Sequence, residues 1–525
     1  MISLPAATQP DANASADWSA VVEAVIEAHP TSTLESIRRL ATASPADLAF
    51  AADRLAAALA EDRRLDDEVD RIAGAAALAQ EAFENWAEDR VDRLLLDLAT
   101  AFAVAAENLA EATVLETGLG NVADKAVKNR FASISTYNAL AGRTAQGTLC
   151  VDGDRKVTDL ASPAGVVFGI VPVTNPVCTA MFKTLISLKG RNALILSFHR
   201  NALGVGRLTA DIIRGVLDEH GAPRHLVHLL DQRPSHRTTQ KLMSHPKVSL
   251  ILATGGAGLV KAAYSSGRPA IGVGPGNAPA WICADADLER AAHAIVVSKA
   301  FDNGLICGGE NHLVVDERVV DPFIDALERH GAAILTAEER DRFGREAVDR
   351  AGAFRRDLVG RSASVIAAAL GIARRVPPRL LIARTTAADL GGFYAQEKLA
   401  PFLSLFTVSG EDEGLRLSRH LLTHGGAGHT AVIHTINRAR VERFARTMPA
   451  GRILVNSPAA QGCCGMTTGL ECSMTLGCGT FGGNSTTDNV TYRHLLNVKR
   501  IAYHLDGSSA QSSAARAGGN AIEGF

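Results

Sequence analysis

The chain has 525 residues, of which 47% are hydrophobic and 21% are charged, and its formal net charge at pH 7 is −2. This length is too great for one ordinary hydrophobic core and predicts about two to four domains. The near-neutral charge excludes the strongly basic surface with which proteins bind nucleic acid or an anionic membrane. We therefore expect small molecules and other subunits as partners.

The sequence carries no pattern typical of export or membrane insertion. Residues 1–15 lack the basic start and the apolar centre of a secretory signal. No apolar run reaches the ~18 residues that a membrane-spanning helix requires. The eight cysteines do not form a disulfide framework in a chain of this length. These features predict a cytoplasmic protein with reduced thiols.

Helical patterns come first along the chain. Apolar residues recur at helical spacing in residues 18–26, a capping-box pattern begins at Ser32, and Ser44 can cap a third helix. The charged run Glu61–Glu68 is the first candidate boundary, so residues 1–64 are predicted to form an extra helical segment. This segment is an oligomerisation element, a docking or encapsulation signal, or additional core, and additional core is the default interpretation.

An alternation of strands and helices begins at Gly165, after an alanine-rich helical scaffold over residues 69–122 and a predicted strand pair over residues 147–164. Short apolar runs suited to buried parallel strands lie at Val166–Val171, Asn192–Ser197, Leu226–Leu230 and Val248–Ala253. Helical segments separate these runs. The alternation predicts a doubly wound parallel sheet.

A second α/β lobe is predicted to extend to about Leu476. Its strand-like runs are Leu313–Val315, Phe402–Val408, Thr430–His434 and Ile453–Asn456, and a charged helical region is predicted over Ala337–Leu358. Residues 507–525 are rich in Ser, Ala and Gly and are predicted to be a disordered tail.

The fourth strand of the first lobe leads into the glycine-rich run Thr254–Gly258 and then into a helix. Backbone amides at such a helix start bind anions. The run is not a complete G-x-G-x-x-G pattern, so it fits a dinucleotide site and a plain tight turn about equally well.

Cys307 lies in a glycine-flanked stretch, Lys299–Gly309, after an apolar helical run. A catalytic thiolate needs room for an electrophile and donors for the oxyanion that its attack creates, and we expect the flanking Gly304, Gly308 and Gly309 to leave the backbone open. Taken alone, the residue fits a buried structural thiol better than a nucleophile.

Four further cysteines cluster near the end of the second lobe: Cys463, Cys464, Cys472 and Cys478. Their spacing does not match the paired C-x₂₋₄-C pattern of zinc sites. We therefore predict no metal site there and expect these thiols to pack in the core or to line a pocket.

Three stretches in chain order, Pro172–Pro176, Tyr264–Asn277 and Phe301–Cys307, resemble the CoA-acylating aldehyde dehydrogenases. The resemblance covers residues 69–505. It is close to the aldehyde-dehydrogenase half of bifunctional aldehyde-alcohol dehydrogenases and to acylating sulfoacetaldehyde dehydrogenases. It implies oxidation of a short-chain aldehyde with NAD or NADP and transfer of the acyl group to coenzyme A.

The resemblance also implies a domain organisation. Residues 65–280 form a Rossmann-like NAD(P)-binding domain, with oligomerisation strands at 147–164. Residues 281–480 form the catalytic cysteine domain, and residues 481–506 complete the oligomerisation extension. A homodimer or homotetramer is expected.

Residue roles follow from the same resemblance. Cys307 is the nucleophile, and the Asn175 side chain forms the oxyanion hole with the Cys307 backbone N–H. The residues expected to contact the cofactor are Pro172, Thr174, Ser197, His199, Gly255, Gly256 and Glu397. The choice between NAD and NADP stays open because His199 and Arg200 are basic and no acid follows the second strand. Residues 457–464 are expected to line the aldehyde pocket.

One departure from the hydrolytic members of the superfamily bears on the chemistry. Their water-activating glutamate aligns with Val273, and no Asp or Glu occurs between Lys261 and Cys283. An acyl-enzyme without a general base awaits a better nucleophile, such as the thiol of coenzyme A. The alternatives are a hydrolytic aldehyde dehydrogenase and a non-catalytic assembly subunit. The second is suggested by the extra segment of residues 1–64. The same segment leaves open a location inside a bacterial microcompartment.

Overall fold

The computed structural model describes residues 45–230, 235–350 and 352–505, with side chains at residue 54 and from residue 56 onward. The predicted helices of residues 18–44 and the predicted tail at 507–525 lie outside the described residues. The chain divides into two units, Met1–Glu68 and Val69–Phe525.

Sixteen α-helices occur in the described part of the chain. They are α1 (Pro45–Phe83), α2 (Glu88–Val104), α3 (Ala106–Thr117), α4 (Val122–Arg130), α5 (Thr136–Leu140), α6 (Pro176–Lys189), α7 (Leu203–Glu219), α8 (His236–Ser244), α9 (Ala257–Tyr264), α10 (Leu288–Ala300), α11 (Val320–Arg329), α12 (Ala337–Glu346), α13 (Ala363–Ala369), α14 (Glu411–Gly425), α15 (Arg438–Thr447) and α16 (Ala459–Gly462).

Fifteen strands are seen among the same residues. They are β1 (Gly147–Asp152), β2 (Val157–Pro163), β3 (Val166–Val171), β4 (Ala193–Phe198), β5 (Val227–Leu229), β6 (Val248–Thr254), β7 (Ala270–Val273), β8 (Ala278–Ile282), β9 (Glu310–Asp316), β10 (Ala332–Ile334), β11 (Leu380–Thr385), β12 (Phe402–Val408), β13 (Gly428–His434), β14 (Ala450–Val455) and β15 (Leu496–Ala502).

Helix α1 starts at Pro45 and runs without a break to Phe83. Pro45 suits a first helical position because that residue donates no intrahelical hydrogen bond. The helix continues through the charged run Glu61–Glu68, so this run is not an interruption in the secondary structure, although the division into two units falls directly after Glu68.

The first lobe contains a five-stranded parallel sheet with the strand order β5-β4-β3-β6-β7. Strands β3 and β4 are buried along their whole length. Burial on both faces explains why their sequences are continuous apolar runs. Each fully buried Val, Leu or Ile contributes about 1.5–3 kcal/mol relative to an exposed one. The predicted doubly wound sheet is confirmed.

The second lobe contains a seven-stranded parallel sheet with the order β10-β11-β12-β9-β8-β13-β14. The helix predicted over Ala337–Leu358 was too long, because α12 ends at Glu346 and an antiparallel bridge joins Val348 to Phe354. Charged residues continue beyond α12, but its apolar stripe does not: Phe343 is the buried residue of this helix.

A three-stranded antiparallel sheet completes the fold, with β2 between β1 and β15. The predicted strand pair of residues 147–164 is confirmed, and β15 joins it from the end of the described chain. The outer strands are mostly exposed.

No single helix in the described ranges is long and apolar enough to cross a membrane. The bent pair α2 and α3 together has the necessary length and apolar composition. One face of α2, which includes Leu94, Leu98 and Phe102, is buried in the protein core.

A cleft lies at the point where the order of the strands in the five-stranded sheet reverses. The chain moves outward from β3 to β5 on one side and continues with β6 and β7 on the other. Ligands of open α/β sheets bind at the carboxyl ends of the strands beside such a switch point. The loops after β3, β4, β6 and β7 all lie at this edge.

Candidate active site

A cleft of about 860 Å³ brings together all nine residues that the sequence indicated. It is lined by residues from the carboxyl edge of the five-stranded sheet and from the loop that carries Cys307 (the cysteine loop, residues 305–309). The nine are Pro172, Thr174, Asn175, Ser197, His199, Gly255, Gly256, Cys307 and Glu397. Their proximity is consistent with one reaction centre, and the role of each stays a prediction.

Glycines hold the cysteine loop by close packing. A Cβ on Gly276 would lie 1.9 Å from the Cys307 carbonyl oxygen, and one on Gly308 would lie 2.3 Å from the Sγ of Cys463. Gly304 has φ +76°, and a Cβ there would meet the backbone of Ala400 at 2.6 Å. The expectation that Gly304 and Gly308 leave open space was therefore wrong, because neighbouring residues fill that space.

The Cys307 thiol has a partner that the sequence analysis missed. The Nε2 atom of His429 lies 3.2 Å from the Cys307 Sγ, and its Nδ1 atom lies 2.9 Å from the hydroxyl of Thr430. Burial raises the pKa of Cys307 and holds the pKa of His429 well below its usual value. A neutral imidazole beside a protonated thiol can accept the thiol proton during attack.

The sequence contains a signal for His429, the run Gly425-Gly-Ala-Gly-His429. The strand was predicted to begin at Thr430, whereas β13 begins at Gly428 and thus includes the histidine. Gly428 has φ +84°, and a Cβ there would meet the Cys478 carbonyl oxygen at 1.8 Å. This close approach fixes the start of β13 against the backbone of Cys478.

Asn175 lies immediately before helix α6, with Pro176 at the first helical position. Its Nδ2 donates to the Leu305 carbonyl at 3.1 Å, two residues before Cys307. Its Oδ1 accepts a hydrogen bond from the Nζ of Lys128. The amide nitrogen therefore faces the cysteine loop, which is the orientation that an oxyanion donor requires.

The glycine-rich turn after β6 has the form of an anion site. Gly256 caps helix α9, and a Cβ on Gly255 would meet the Leu259 side chain at 2.7 Å. The Thr254 hydroxyl also lines the cleft and is a buried polar atom without a hydrogen-bond partner. A ligand that accepts hydrogen bonds, such as a pyrophosphate, fits this set of donors.

The opposite wall carries the residues predicted for the adenosine ribose. Ser197 is buried in β4, and His199 follows the strand. The Nδ1 of His199 accepts from the backbone N–H of Asn201 at 3.2 Å. Burial, and then the charge of Arg200, lowers the pKa of His199.

Glu397 alone carries a carboxylate among the described residues that line the cleft. Its Oε1 accepts from the Gly276 backbone N–H at 3.1 Å. Burial raises its pKa to about 7. Val273, at the end of β7, is buried and lines the same cleft. An apolar side chain therefore occupies the position aligned with the water-activating glutamate.

The clustered cysteines have different surroundings. Cys464 lines the cleft, whereas Cys463 is buried beneath Gly308 with its sulfur 3.7 Å from that of Cys464. Cys478 is buried beside Gly428, and the Cys472 sulfur lies 3.6 Å from the Thr136 hydroxyl. In the segment 457–464, expected to line the aldehyde pocket, Cys464 is the residue that lines the cleft.

The sequence profile of the aldehyde dehydrogenase family matches residues 56–347. The chain is 40% identical over 429 residues to the bifunctional aldehyde-alcohol dehydrogenase of Escherichia coli, an alignment that covers 81% of this chain and 48% of that protein. It thus spans about half the length of that relative. It is 34% identical to the sulfoacetaldehyde dehydrogenase of an Acholeplasma species, over 82% of this chain and 90% of the relative.

Solved structures of aldehyde dehydrogenases are also similar to this chain. An acetylating aldehyde dehydrogenase from Geobacillus thermoglucosidasius superposes with a TM-score of 0.82 at 39% identity, covering 85% of this chain and 98% of the other. A propionaldehyde dehydrogenase from Rhodopseudomonas palustris, solved with bound propionyl-CoA, gives 0.77 at 26% identity, covering 83% and 94%. The chain therefore belongs to the aldehyde dehydrogenase family.

Proposed function

We propose that this enzyme is a CoA-acylating aldehyde dehydrogenase that oxidises a short-chain aldehyde with NAD or NADP. The observation that carries the proposal is the cleft itself, in which Cys307 has a buried imidazole partner and Val273 replaces the expected water-activating acid. The relatives described as acetylating, or solved with an acyl-CoA, support the same reaction class.

In the first half-reaction His429 accepts the Cys307 proton, and the thiolate attacks the aldehyde carbonyl carbon. The resulting thiohemiacetal oxygen carries negative charge, which the Asn175 amide and the Cys307 backbone N–H stabilise. A bound nicotinamide would accept the hydride from the substrate carbon. Collapse of the oxyanion with this transfer would leave a thioester on Cys307.

In the second half-reaction the thiolate of coenzyme A attacks the thioester carbonyl. The Cys307 thiolate leaves, and an acyl-CoA is released. Because one thioester is exchanged for another, the step is nearly balanced in free energy, and the enzyme should also reduce acyl-CoA to aldehyde.

The cofactor is assigned to the crevice between β3 and β6. Gly255 and Gly256 would hold its pyrophosphate, with Pro172 and Thr174 on the facing wall. Ser197 and His199 would contact the adenosine ribose, and Glu397 would accept hydrogen bonds from the nicotinamide ribose. The choice between NAD and NADP stays open.

Hydrolysis of the thioester is the second candidate function, because Glu397 lines the cleft and its pKa of about 7 suits a general base. The position of Glu397 argues against this role, since its Oε1 already accepts from the Gly276 backbone. The two functions predict different products.

One experiment separates them. The purified enzyme is given a panel of short aldehydes with NAD⁺ or NADP⁺, with and without coenzyme A, and the products are identified by mass spectrometry. Acylation predicts multiple turnovers only with coenzyme A and an acyl-CoA product. Sustained turnover to the carboxylic acid without coenzyme A would contradict it, as would oxidation of aldehyde by the Cys307→Ala variant.

Assembly is proposed to use the three-stranded sheet. Exposed apolar residues occur on both of its outer strands, including Leu149, Val151, Val498 and Ile501. Burial of such residues favours a homodimer or homotetramer. We assign the enzyme to the cytoplasm, either free or inside a microcompartment that residues 1–64 would recognise. Light scattering of Val151→Lys and Val498→Lys variants tests the interface.

A further inference from the structure

Helix α4 presents two buried lysines to the back of the proposed active site. Lys125 and Lys128 are three residues apart and therefore share one helix face. Their side chains are 4% and 1% exposed, and both reach Asp302, whose side chain is fully buried. Burial of charged groups this deeply has a large desolvation cost, which a role for their contacts at the reaction centre would explain.

The lysines connect the two loops of the reaction centre. Lys125 Nζ donates to the Thr174 carbonyl and to the Asp302 carboxylate, both at 3.0 Å. Lys128 Nζ donates to the same carboxylate and to Asn175 Oδ1. Thr174 and Asn175 belong to the loop after β3, and Asp302 belongs to the loop that leads to Cys307.

Asp302 is itself held in place. It has φ +45°, and Asn303 has φ +55°, which is the left-handed region that few non-glycine residues adopt. The Asn121 backbone N–H donates to Asp302 Oδ1 at 2.9 Å, while the Asp302 N–H donates to Asp124 at 2.7 Å. A Cβ on Gly120 would lie 2.0 Å from Asp302 Oδ1. The carboxylate is therefore a fixed anchor for both lysines.

Lys128 determines which way the Asn175 amide points. An ammonium group has donors only, so it pairs with the amide oxygen and excludes the amide nitrogen from its side. The Leu305 carbonyl, an acceptor only, pairs with Nδ2 on the other side. A flipped amide would place donor against donor and acceptor against acceptor. A cation bonded to an amide oxygen also makes the amide N–H a stronger donor.

We propose that Lys128 is a positioning residue that fixes and polarises the Asn175 amide for the developing oxyanion. The inference rests on the proposed function, in which Asn175 is the oxyanion donor. Lys125 and Asp302 support it by holding Lys128 and the two loops in one geometry. Burial, followed by the charge of Lys128, lowers the pKa of Lys125 to about 8, as expected for two lysines around one carboxylate.

The test is a double-mutant cycle between Lys128→Met and Asn175→Ala. It follows the burst of reduced nicotinamide in the first half-reaction, without coenzyme A, and then steady-state kcat and KM. We expect Lys128→Met to lower the burst rate and kcat roughly 10- to 100-fold with KM values within about threefold. In the Asn175→Ala background the same change should cost less than about twofold.

Lys189→Met is the matched control, because Lys189 is also fully buried and paired with two acids, Glu88 and Asp92. It should lower the melting temperature without a comparable loss of kcat. Unchanged kcat in Lys128→Met would overturn the inference, as would a loss that persists in full without the Asn175 amide. A wild-type protein without turnover would overturn the proposed function and this inference together.

Removal of Lys128 leaves Asp302 with less charge compensation, so Lys128→Met alone could unfold. In that case the comparison is between Asp302→Asn and the double variant Asp302→Asn, Lys128→Met. Both variants lack the Asp302 carboxylate, so neither has an uncompensated negative charge at this position. A further loss of kcat in the double variant supports the inference. Equal rates of the two variants overturn it.

Discussion

The Nε2 atom of His429 lies 3.2 Å from the Sγ of Cys307, and the imidazole is buried behind a half-buried thiol that lines the cleft. Burial moves the two pKa values apart, so that the pair is a neutral thiol and a neutral imidazole at neutral pH. The ion pair forms only as the proton moves. We therefore expect the reactivity of Cys307 to depend on His429 and not on a pre-existing thiolate.

We expect His429→Ala to lower kcat/KM by about 10²- to 10⁴-fold near neutral pH, because the general base is lost. The residual rate should rise about tenfold per pH unit, since hydroxide must then ionise a thiol whose pKa is raised. The wild-type enzyme should show a flatter profile. Rates measured across pH, together with alkylation of Cys307 by iodoacetamide, check both points, and an equally flat profile in the variant would contradict this role.

Val273→Glu should shift the product from acyl-CoA toward carboxylic acid. The new side chain extends from the end of β7 into the cleft and supplies a base for water. Val273→Gln is the matched control, because it has nearly the same shape without a base. The measurement is the ratio of acid to acyl-CoA at limiting coenzyme A. If the two variants gave the same ratio, the assignment of Val273 would fail.

Glu397→Gln should change stability in a pH-dependent manner. The Glu397 pKa is raised to about 7 in the folded protein, against about 4.3 in an unfolded chain, so the folded state binds the extra proton. Stability contributed by this group is present at low pH and is lost as pH rises through 7. The glutamine side chain of the variant does not titrate, so the variant does not lose stability in this way as the pH rises. Its melting temperature relative to wild type should be higher at pH 8 than at pH 6, and the opposite order would refute the shift.

The same carboxyl should control cofactor affinity. Ribose hydroxyls donate hydrogen bonds, and the ionised carboxylate is the better acceptor. The KM for NAD(P)⁺ should therefore fall as the pH rises through about 7 in wild type. Glu397→Gln should have a higher KM that varies little with pH. A KM that is independent of pH in the wild-type enzyme would rule out this contact.

Gly276→Ala should disable the enzyme by displacing the cysteine loop. The added Cβ would lie 1.9 Å from the Cys307 carbonyl oxygen, and both are backbone-linked atoms that cannot rotate away. We expect a loss of kcat of at least about 10²-fold with a lower melting temperature. Gly215→Ala, in helix α7 with nothing within 4 Å of its Cβ, is the control and should retain activity. Wild-type kcat in Gly276→Ala would contradict the packing described.

Deletion of residues 1–44 tests the proposed partner segment without cutting helix α1 at Pro45. A deletion that ended at residue 63 would remove almost half of α1, and Val69, Ile72 and Ala76 of the remaining half are buried. We expect the shorter deletion to keep activity and to change assembly size or co-purifying partners. Size-exclusion chromatography with light scattering measures the first, and no change in either would remove the partner hypothesis.

The sheets and the cleft could be predicted because their signals are local. The buried parallel strands β3 and β4 are apolar runs, and the turns after β3 and β6 meet at one edge by topology. The predicted end of α12 was too late, because the prediction followed the charged residues, which continue past Glu346. Charged residues occur in exposed helices and in exposed loops alike, so they do not mark where a helix ends.

The partners of the predicted residues were not predictable from the sequence. His429 lies 122 residues from Cys307, and Lys128 lies 47 residues from Asn175. Each pair forms only when distant elements pack. The glycine-rich run before His429 marks a close backbone approach but does not identify its partner, and Lys128 lies in an otherwise ordinary helical segment. The left-handed conformation of Asp302 was also not predictable, since its side chain packs against Gly120, in the loop between α3 and α4.

Strand β2 pairs on one side with a strand that is near in sequence and on the other side with a strand that is far away in sequence. Its hairpin partner β1 ends a few residues earlier, whereas Asn497 of β15 donates to Pro163 across 334 residues of chain. During synthesis the hairpin can form early, but its second edge stays unpaired until β15 has left the ribosome. Assembly through this sheet would therefore wait for β15, and chains truncated before β15 would expose an unpaired strand edge.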